Sequence, residues 1–585
     1  MNTRRLAVAL VEVVSDRKQC INKDLMINAT RDSTEAGRVS SADPDATIDL
    51  SSRQSPGSAR GGGVSGVVLI RPPQVLSKYS LSTAITPPLS TAYLSGTLHA
   101  NGHIPQAIDA LGEDVDRLTP MPGTVGLAQG LTVDDIVDRV DASAQLIGCS
   151  SMFSSAWTYD KKIINRLRQR FPKALIVAGG EHITACTEYV LQDCRALDLC
   201  VRGEGEETLL DIVNTYFAGR DIQALNGVAY RQADGSVQVN PARGRIRAID
   251  NIPEPYWDDL PIETYLSRGF GHGVNRGRSM PLLATRGCPF QCTFCSSPYM
   301  WGTKWEARSP EKVLAEIKKY LDKYNAENFD LYDLTAIVKK QWIVEFCDLV
   351  GKSGLKFSWQ LPSGTRSEAI DAEVVDKLWD SGCRNMNYAP ESGSPAVLKR
   401  IKKQVKLPRL EESARAAIKR GFNLKINIIF AFPDETPYEM WETFKFGIKC
   451  AWMGVSDSSF IPYVPYPGSE LYYELVKQNK IEPPSDKYFD SLIPFSDLAF
   501  AKSYNPHVKD RHLVWARYLY FTLFYGTMYL RRPWRLVHTL VNLVRGREES
   551  RAEASLHHIL FRHKLLLRRR LEGLFGKSEA GGAQV

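Results

Sequence analysis

Cys288, Cys292 and Cys295 stand in the run Ala284-Thr-Arg-Gly-Cys-Pro-Phe-Gln-Cys-Thr-Phe-Cys295, which places three thiols on one short loop with Phe294 before the last. Thiolates are the usual ligands of iron–sulfur clusters, and a cubane cluster takes four of them. This run supplies three, and the next cysteines, Cys347 and Cys383, fall far downstream in separate elements. A cluster held by three thiolates leaves one iron open, and an open position is where a metal centre does chemistry. A zinc site would instead pair C-x-x-C knuckles with a second Cys/His pair at a set distance, and none follows.

Such a loop needs a scaffold. From Gly277 to about Gly468 the sequence repeats strand–helix units, with strands expected over 280–285, 329–334, 357–361, 385–389, 424–432 and 458–464. Six units of this kind predict a partial (βα)6 TIM-type barrel whose function lies at the carboxyl ends of the strands. The cysteine loop follows the first strand. Asp333 ends the second, where it either orients a ligand or satisfies backbone donors. Pro390-Glu391-Ser392-Gly393 ends the fourth, and a carboxylate there can accept bonds from an ammonium or from hydroxyls.

Ahead of the barrel, residues 66–220 alternate short β-rich runs with helical stretches, as in a Rossmann-like doubly wound parallel sheet. A ligand of such a sheet sits beyond the carboxyl ends of its strands. Those ends carry Ser150-Ser151, Gly179-Gly180 and Arg202-Gly-Glu204-Gly-Glu. Small residues let a bulky cofactor approach the backbone, and Ser hydroxyls can bond to it.

The cysteine run with Phe294 resembles the signature of the radical S-adenosylmethionine (SAM) superfamily. There the open iron of a 4Fe-4S cluster binds SAM, and the reduced cluster splits it to a 5′-deoxyadenosyl radical. Glu391-Ser392-Gly393, Phe432-Pro-Asp-Glu-Thr436 and Pro465-Tyr-Pro-Gly-Ser469 resemble that family's later strand-end segments, in order. The first of these implies contacts to the ribose and amino end of SAM. Pro433-Asp434 departs from the family's more usual Pro-Gly. Residues 66–220 resemble the cobalamin-binding domain fused to one large radical SAM class, through Pro87-Pro-Leu89, the double glycine before Glu181-His182, and Arg202 to Glu206. The resemblance implies cobalamin contacts from Ser150, Ser151, Gly179, Gly180 and Glu204. Many cobalamin proteins ligate cobalt with a histidine after the first strand, but here that loop, Arg71 to Tyr79, has none. No histidine ligand is therefore expected, and His182 reads as a packing residue.

The activity so implied is cobalamin-dependent methylation of an unactivated carbon of a small-molecule, metabolite-like or lipid-like substrate. The alternatives are a non-methylating oxidoreductase or cyclase of the tetrapyrrole type, and a non-catalytic cobalamin or iron–sulfur sensor. Flavodoxin or ferredoxin is the expected electron donor.

Composition sets the remaining bounds. At 43% hydrophobic and 24% charged, the 585-residue chain is ordinary for a soluble protein of two to four domains. An odd eleven cysteines fit a reducing, cytoplasmic setting rather than a disulfide framework. Residues 1–65 read as a disordered leader and 221–276 as a linker. Residues 471–585 read as a helical, basic C-terminal region, with 512–530 strongly apolar but interrupted by Arg517. That region is expected to cover the barrel; the alternative is peripheral contact with an anionic membrane. No nucleic-acid-binding module is recognisable.

Overall fold

The computed structural model describes residues 66–80 and 84–545, with 549, 550, 553 and 556 beyond them. The expected leader, 1–65, lies outside the described residues.

The first strands are β1 (Val67–Arg71), β2 (Gln74–Ser77), β3 (Gln106–Asp109), β4 (Leu118–Pro120) and β5 (Gly126–Gln129). They are followed by β6 (Leu146–Ser150), β7 (Leu175–Gly179), β8 (Leu199–Val201), β9 (Val228–Arg231) and β10 (Val237–Val239). Seven of these form one sheet in the order β10-β9-β8-β7-β6-β1-β3, parallel from β8 to β3. Val67 to Ile70 are buried throughout, as a strand covered by helices on both faces requires. The strand order reverses at β1, between β3 and β6. Strands β2, β5 and β4 make a small separate sheet.

The expected linker is only partly one. Strands β9 and β10 lie within it and extend the sheet antiparallel to β8, as a hairpin turning at Asp234-Gly235. Val-Ala-Tyr-Arg and Val-Gln-Val on either side of Asp-Gly carry a local hairpin signal.

The second sheet has six parallel strands, as expected. They are β11 (Ser279–Leu282), β14 (Asn328–Leu331), β15 (Ser358–Thr365), β16 (Cys383–Glu391), β17 (Asn423–Phe430) and β18 (Asp457–Pro462), adjacent in that order. Between its first two strands, β12 (Thr285–Arg286) and β13 (Glu306–Ala307) pair antiparallel, Arg286 opposite Glu306. This two-residue clasp closes the base of the cysteine loop.

The chain after the barrel divides in two. The helices Glu470–Lys477 and Asp486–Ser491 turn back onto the first sheet, where Tyr472, Phe489 and Leu492 share a core with Ile163 and Val190. Lys161 meets Asp486 at 2.6 Å and Thr158 donates to Asp490 at 2.7 Å. The helix Asp510–Arg531 then packs on β18 and the helix Pro437–Met453. Tyr520 stacks on Phe460 at 4.0 Å and meets Ser458 Oγ at 2.8 Å. Gly447 makes this approach possible, because a Cβ there would enter the Tyr520 ring. Arg517, which interrupts the apolar run, is buried and donates to the carbonyls of Ser496, Asp497 and Phe500.

Candidate functional site

The cysteine loop leaves the clasp at Gly287 and is held from both sides. Thr293 N donates to Ile401 O at 3.1 Å, and Thr293 O accepts from Leu471 N at 2.9 Å. Within it, Cys295 N donates to Cys292 O, and Ser297 N donates to Cys295 Sγ at 3.4 Å. Cys292 is buried, which pushes its thiol up, while Lys403 works in the opposite direction. Burial pushes Cys295 up to about 12. Both thiols feel Cys288, and Cys295 also feels Cys292. Among the described residues no three Cys, His, Asp or Glu side chains already surround a common point. The donor chemistry nonetheless fits an iron–sulfur cluster: three soft sulfur ligands on one loop, with cationic side chains beside them to balance thiolate charge.

Those cations come from the barrel. Lys403 Nζ pairs with Glu391 Oε1 at 2.9 Å, both side chains buried, and lies over the Phe294 ring. Burial opposes its charge, but Glu391 and Cys292 together hold it above the ordinary lysine value. The Arg366 guanidinium lies 3.7 Å from the centre of the Phe290 ring and bonds Glu368 and the Gln404 carbonyl. Its Nη1 is buried with no partner among the described residues. Sequence reading missed both cations. It ended β15 at Leu361, whereas the strand continues through an irregular register to Thr365 and delivers Arg366.

Glu391 takes φ +65°, a left-handed conformation that a residue with a Cβ adopts at a cost. Ser392 and Gly393, its expected partners, turn away. Ser392 Oγ bonds Thr443 Oγ1 at 2.8 Å, and a Cβ on Gly393 would collide with Phe446. Asp333 lies two residues past β14, buried, where it accepts from Thr285 Oγ1 at 2.5 Å and Ala284 N at 3.2 Å. Burial pushes its carboxyl up to about 6. Of its two expected roles, these contacts are those of a brace under the loop. Phe294 packs on Phe432, at 5.8 Å between ring centres.

The carboxyl ends of the first sheet reach the same loop. Glu181, after Gly179-Gly180, accepts from Ser296, next to Cys295. Glu204 is fully engaged: it binds Arg286 at 3.1 Å, Arg245 at 2.9 Å and the Ile246 amide at 2.8 Å. Glu206 takes the other arm of Arg286 at 2.5 Å. Glu204, expected to contact a cofactor, therefore grips the residue two positions before Cys288. Ser151 is buried and donates to Asp160 at 2.6 Å, whereas Ser150 and Gly179 remain half-buried at their strand ends. Gly180 has φ +122°, and a Cβ there would strike the Ser151 carbonyl.

His182 is boxed between Trp157 and Phe489, with Nδ1 2.9 Å from Ser154 Oγ, and burial pushes the ring down to about 3. At the end of β1, Arg71 is held by Asp109 at 3.0 Å and Tyr265 at 2.7 Å. A cavity of about 260 Å³ lies between Arg202-Gly203-Glu204, Arg243-Gly244-Arg245 and the helix Ser297–Trp301 just after the cysteines. Glycines at strand ends and an opening beside the loop suit a flat, bulky cofactor between the two sheets.

Two family models match the chain: the radical SAM superfamily over residues 282–447 and the B12 binding domain over 82–213. An uncharacterized methyltransferase of Pyrococcus horikoshii is 27% identical over 74% of this chain and 88% of its own length. The cytidylyl-2-hydroxyethylphosphonate methyltransferase of Streptomyces wedmorensis is 27% identical over 72% of this chain and 84% of its own. The anaerobic magnesium-protoporphyrin IX monomethyl ester cyclase of Rubrivivax gelatinosus is 26% identical over 66% of each. Among solved structures, the radical SAM methyltransferase TsrM of Kitasatospora setae, with cobalamin and a 4Fe-4S cluster bound, superposes with a TM-score of 0.58. It covers 78% of this chain and 91% of its own at 17% identity, a likeness of fold.

Proposed function

We propose, on the premise that this chain belongs to the radical SAM enzymes carrying a B12-binding domain, that it methylates an unactivated carbon of a small-molecule substrate. One observation carries the reading: a three-cysteine loop gripped from one side by acids beyond the strands of the first sheet, through Glu181–Ser296, Glu204–Arg286 and Glu206–Arg286, and braced from the barrel side by Asp333 on Thr285. When bound, the cluster would supply the electron that splits SAM and the cobalamin the methyl group.

The protein's part is positioning. Cys288, Cys292 and Cys295 would hold three irons of the cluster. Lys403 balances the charge gathered around Cys292, and Glu391, fixed by Lys403 and by its left-handed backbone, would accept bonds from the SAM ammonium or ribose. The free Nη1 of Arg366 suits the SAM carboxylate. Ser150, Gly179 and Gly180 would face the cobalamin, and the β1 loop, Arg71 to Tyr79, has no histidine to offer it as a ligand. Asp333, Ser392, Gly393, Ser151 and Glu204 would act one step back, by bracing those contacts. Tyr299, four residues past Cys295, is half exposed, and a side chain open to solvent so close to the cysteines supports reduction by a flavodoxin or ferredoxin. The ten cysteines among the described residues are all free, in keeping with a reducing, cytoplasmic setting.

The test is product analysis. Anaerobically reconstituted protein given SAM, cobalamin and reductant should form 5′-deoxyadenosine together with S-adenosylhomocysteine. 5′-Deoxyadenosine alone would favour the second reading, a cyclase-type oxidoreductase, which the relationship to the Rubrivivax enzyme supports. Neither product, with cluster and cobalamin intact, would leave a sensor.

A further inference from the structure

We infer that the two C-terminal helices form a docking face for the surface of an anionic bilayer, a role independent of the catalytic reading. The helix Asp510–Arg531 is apolar on two opposite sides. One stripe, Leu513, Tyr520, Phe524 and Met528, is buried against the barrel. The other, Trp515, Leu519, Leu523 and Leu530, is spaced i, i+4, i+8 and i+15 and faces solvent, with Trp515 72% and Leu530 85% exposed.

The helix Trp534–Arg545 is turned inside out. Its polar Thr539 and Asn542 are buried, with Thr539 bonded to Tyr529 and Glu553. Its apolar Trp534, Val537, Leu540, Val541 and Val544 point outward, Val544 at 89% exposure. A contiguous apolar face of this kind marks an interaction surface.

Charge selects the occupant. From Arg511 to Arg547 the sequence holds seven arginines and no Asp or Glu. Arg511, Arg531 and Arg545 are exposed at the ends of the two stripes. Exposed positive charge at the ends of an apolar, Trp-bearing face matches anionic lipid headgroups, which supply countercharge wherever the arginines meet them. Glu548, Glu549 and Glu553 interrupt the run, Glu553 being buried on Thr539, and the sequence turns basic again from Arg562 and Lys564 to Arg568 and Arg570. Among the described residues no helix is long and apolar enough to cross a membrane, so the face lies on the bilayer. The buried Arg517, tied to three carbonyls, keeps the first helix fixed on the barrel while its outer side docks.

Flotation of the full-length protein with vesicles tests this. Binding is expected to phosphatidylcholine vesicles containing phosphatidylglycerol, to fall at high salt, and to be absent with phosphatidylcholine alone. Trp534→Glu with Val544→Glu should abolish it without changing the melting temperature. Arg531→Gln and Arg545→Gln should each weaken it about fivefold. The proposal fails if neither vesicle binds, or if both bind equally and the glutamate variant still floats. It also fails if sedimentation without lipid shows a dimer that the glutamate variant dissolves. It fails as well if the full chain does not float while a chain ending at Leu556 does, because the protein's own tail then occupies the face.

Discussion

The parallel strands of the two sheets present their carboxyl ends to one loop, but the two ends are finished differently. In the first sheet and its connections, described residues with a left-handed φ are all glycines, Gly180 and Gly203 among them. The acids there are spent on grip: Glu181 on Ser296, Glu204 and Glu206 on Arg286. In the barrel, Glu391, Lys402 and Ala431 are driven into the left-handed region beside or between strand ends, each at about 1–2 kcal/mol. A buried ion pair and an unpartnered guanidinium nitrogen lie nearby. One edge is a relaxed cradle and the other holds strained, charged groups in place. Strain of that kind persists only where surrounding contacts over-determine it, and it concentrates where ligands are positioned.

The contrast can be broken at the grip. Arg286→Met would leave Glu204 and Glu206 buried without their shared cation, and chemical denaturation should show a loss of about 3–5 kcal/mol.

A second test uses pH. Burial raises the Asp160 carboxyl from 3.8 to about 7. The folded state therefore keeps a proton that the unfolded chain releases above about pH 4, and this group's contribution to stability falls as pH rises towards 7. Asp160→Asn should gain on the wild type across that window, by at most about 4 kcal/mol at pH 8. His182 acts in the opposite sense. Its ring is held at about 3 against 6.5 unfolded, so its contribution grows as pH rises between those values. The variant's pH–stability curve should keep this rise and lose the fall.

Two smaller changes probe the backbone directly. Gly180→Ala should cost about 1–3 kcal/mol, because the conformation is reserved for glycine and the Cβ meets the Ser151 carbonyl. Ala431→Gly should do the reverse, with thermal melts showing a gain of up to about 1 kcal/mol as the strain is released. Equal effects at the two positions would erase the distinction between the edges.

Much of this was legible in the sequence because it is local. Three cysteines within eight residues announce their chemistry without the fold, and apolar runs bounded by turn residues gave the six barrel strands in order. What escaped depends on distance along the chain. Glu204 meets Arg286 some eighty residues away, and Lys403 reaches Glu391 only once the intervening helix folds back. Arg366 was hidden by a strand that outruns its apolar core. The hairpin of β9 and β10 carries a local signal too, but a short polar turn between a sheet and a barrel resembles a linker. At the C-terminus, periodicity showed an apolar helix but not that both of its sides are apolar, since only packing separates the buried stripe from the exposed one.

In the proposed function one loop would carry the cluster and a separate sheet the cobalamin, the two meeting across the grip. Cys292→Ala, purified anaerobically and measured for iron, bound cobalamin and 5′-deoxyadenosine formation from SAM, tests it most directly. Loss of iron and of SAM cleavage is expected, with cobalamin binding kept near the wild-type level. Loss of iron and cobalamin together, or SAM cleavage that survives the substitution, would contradict it.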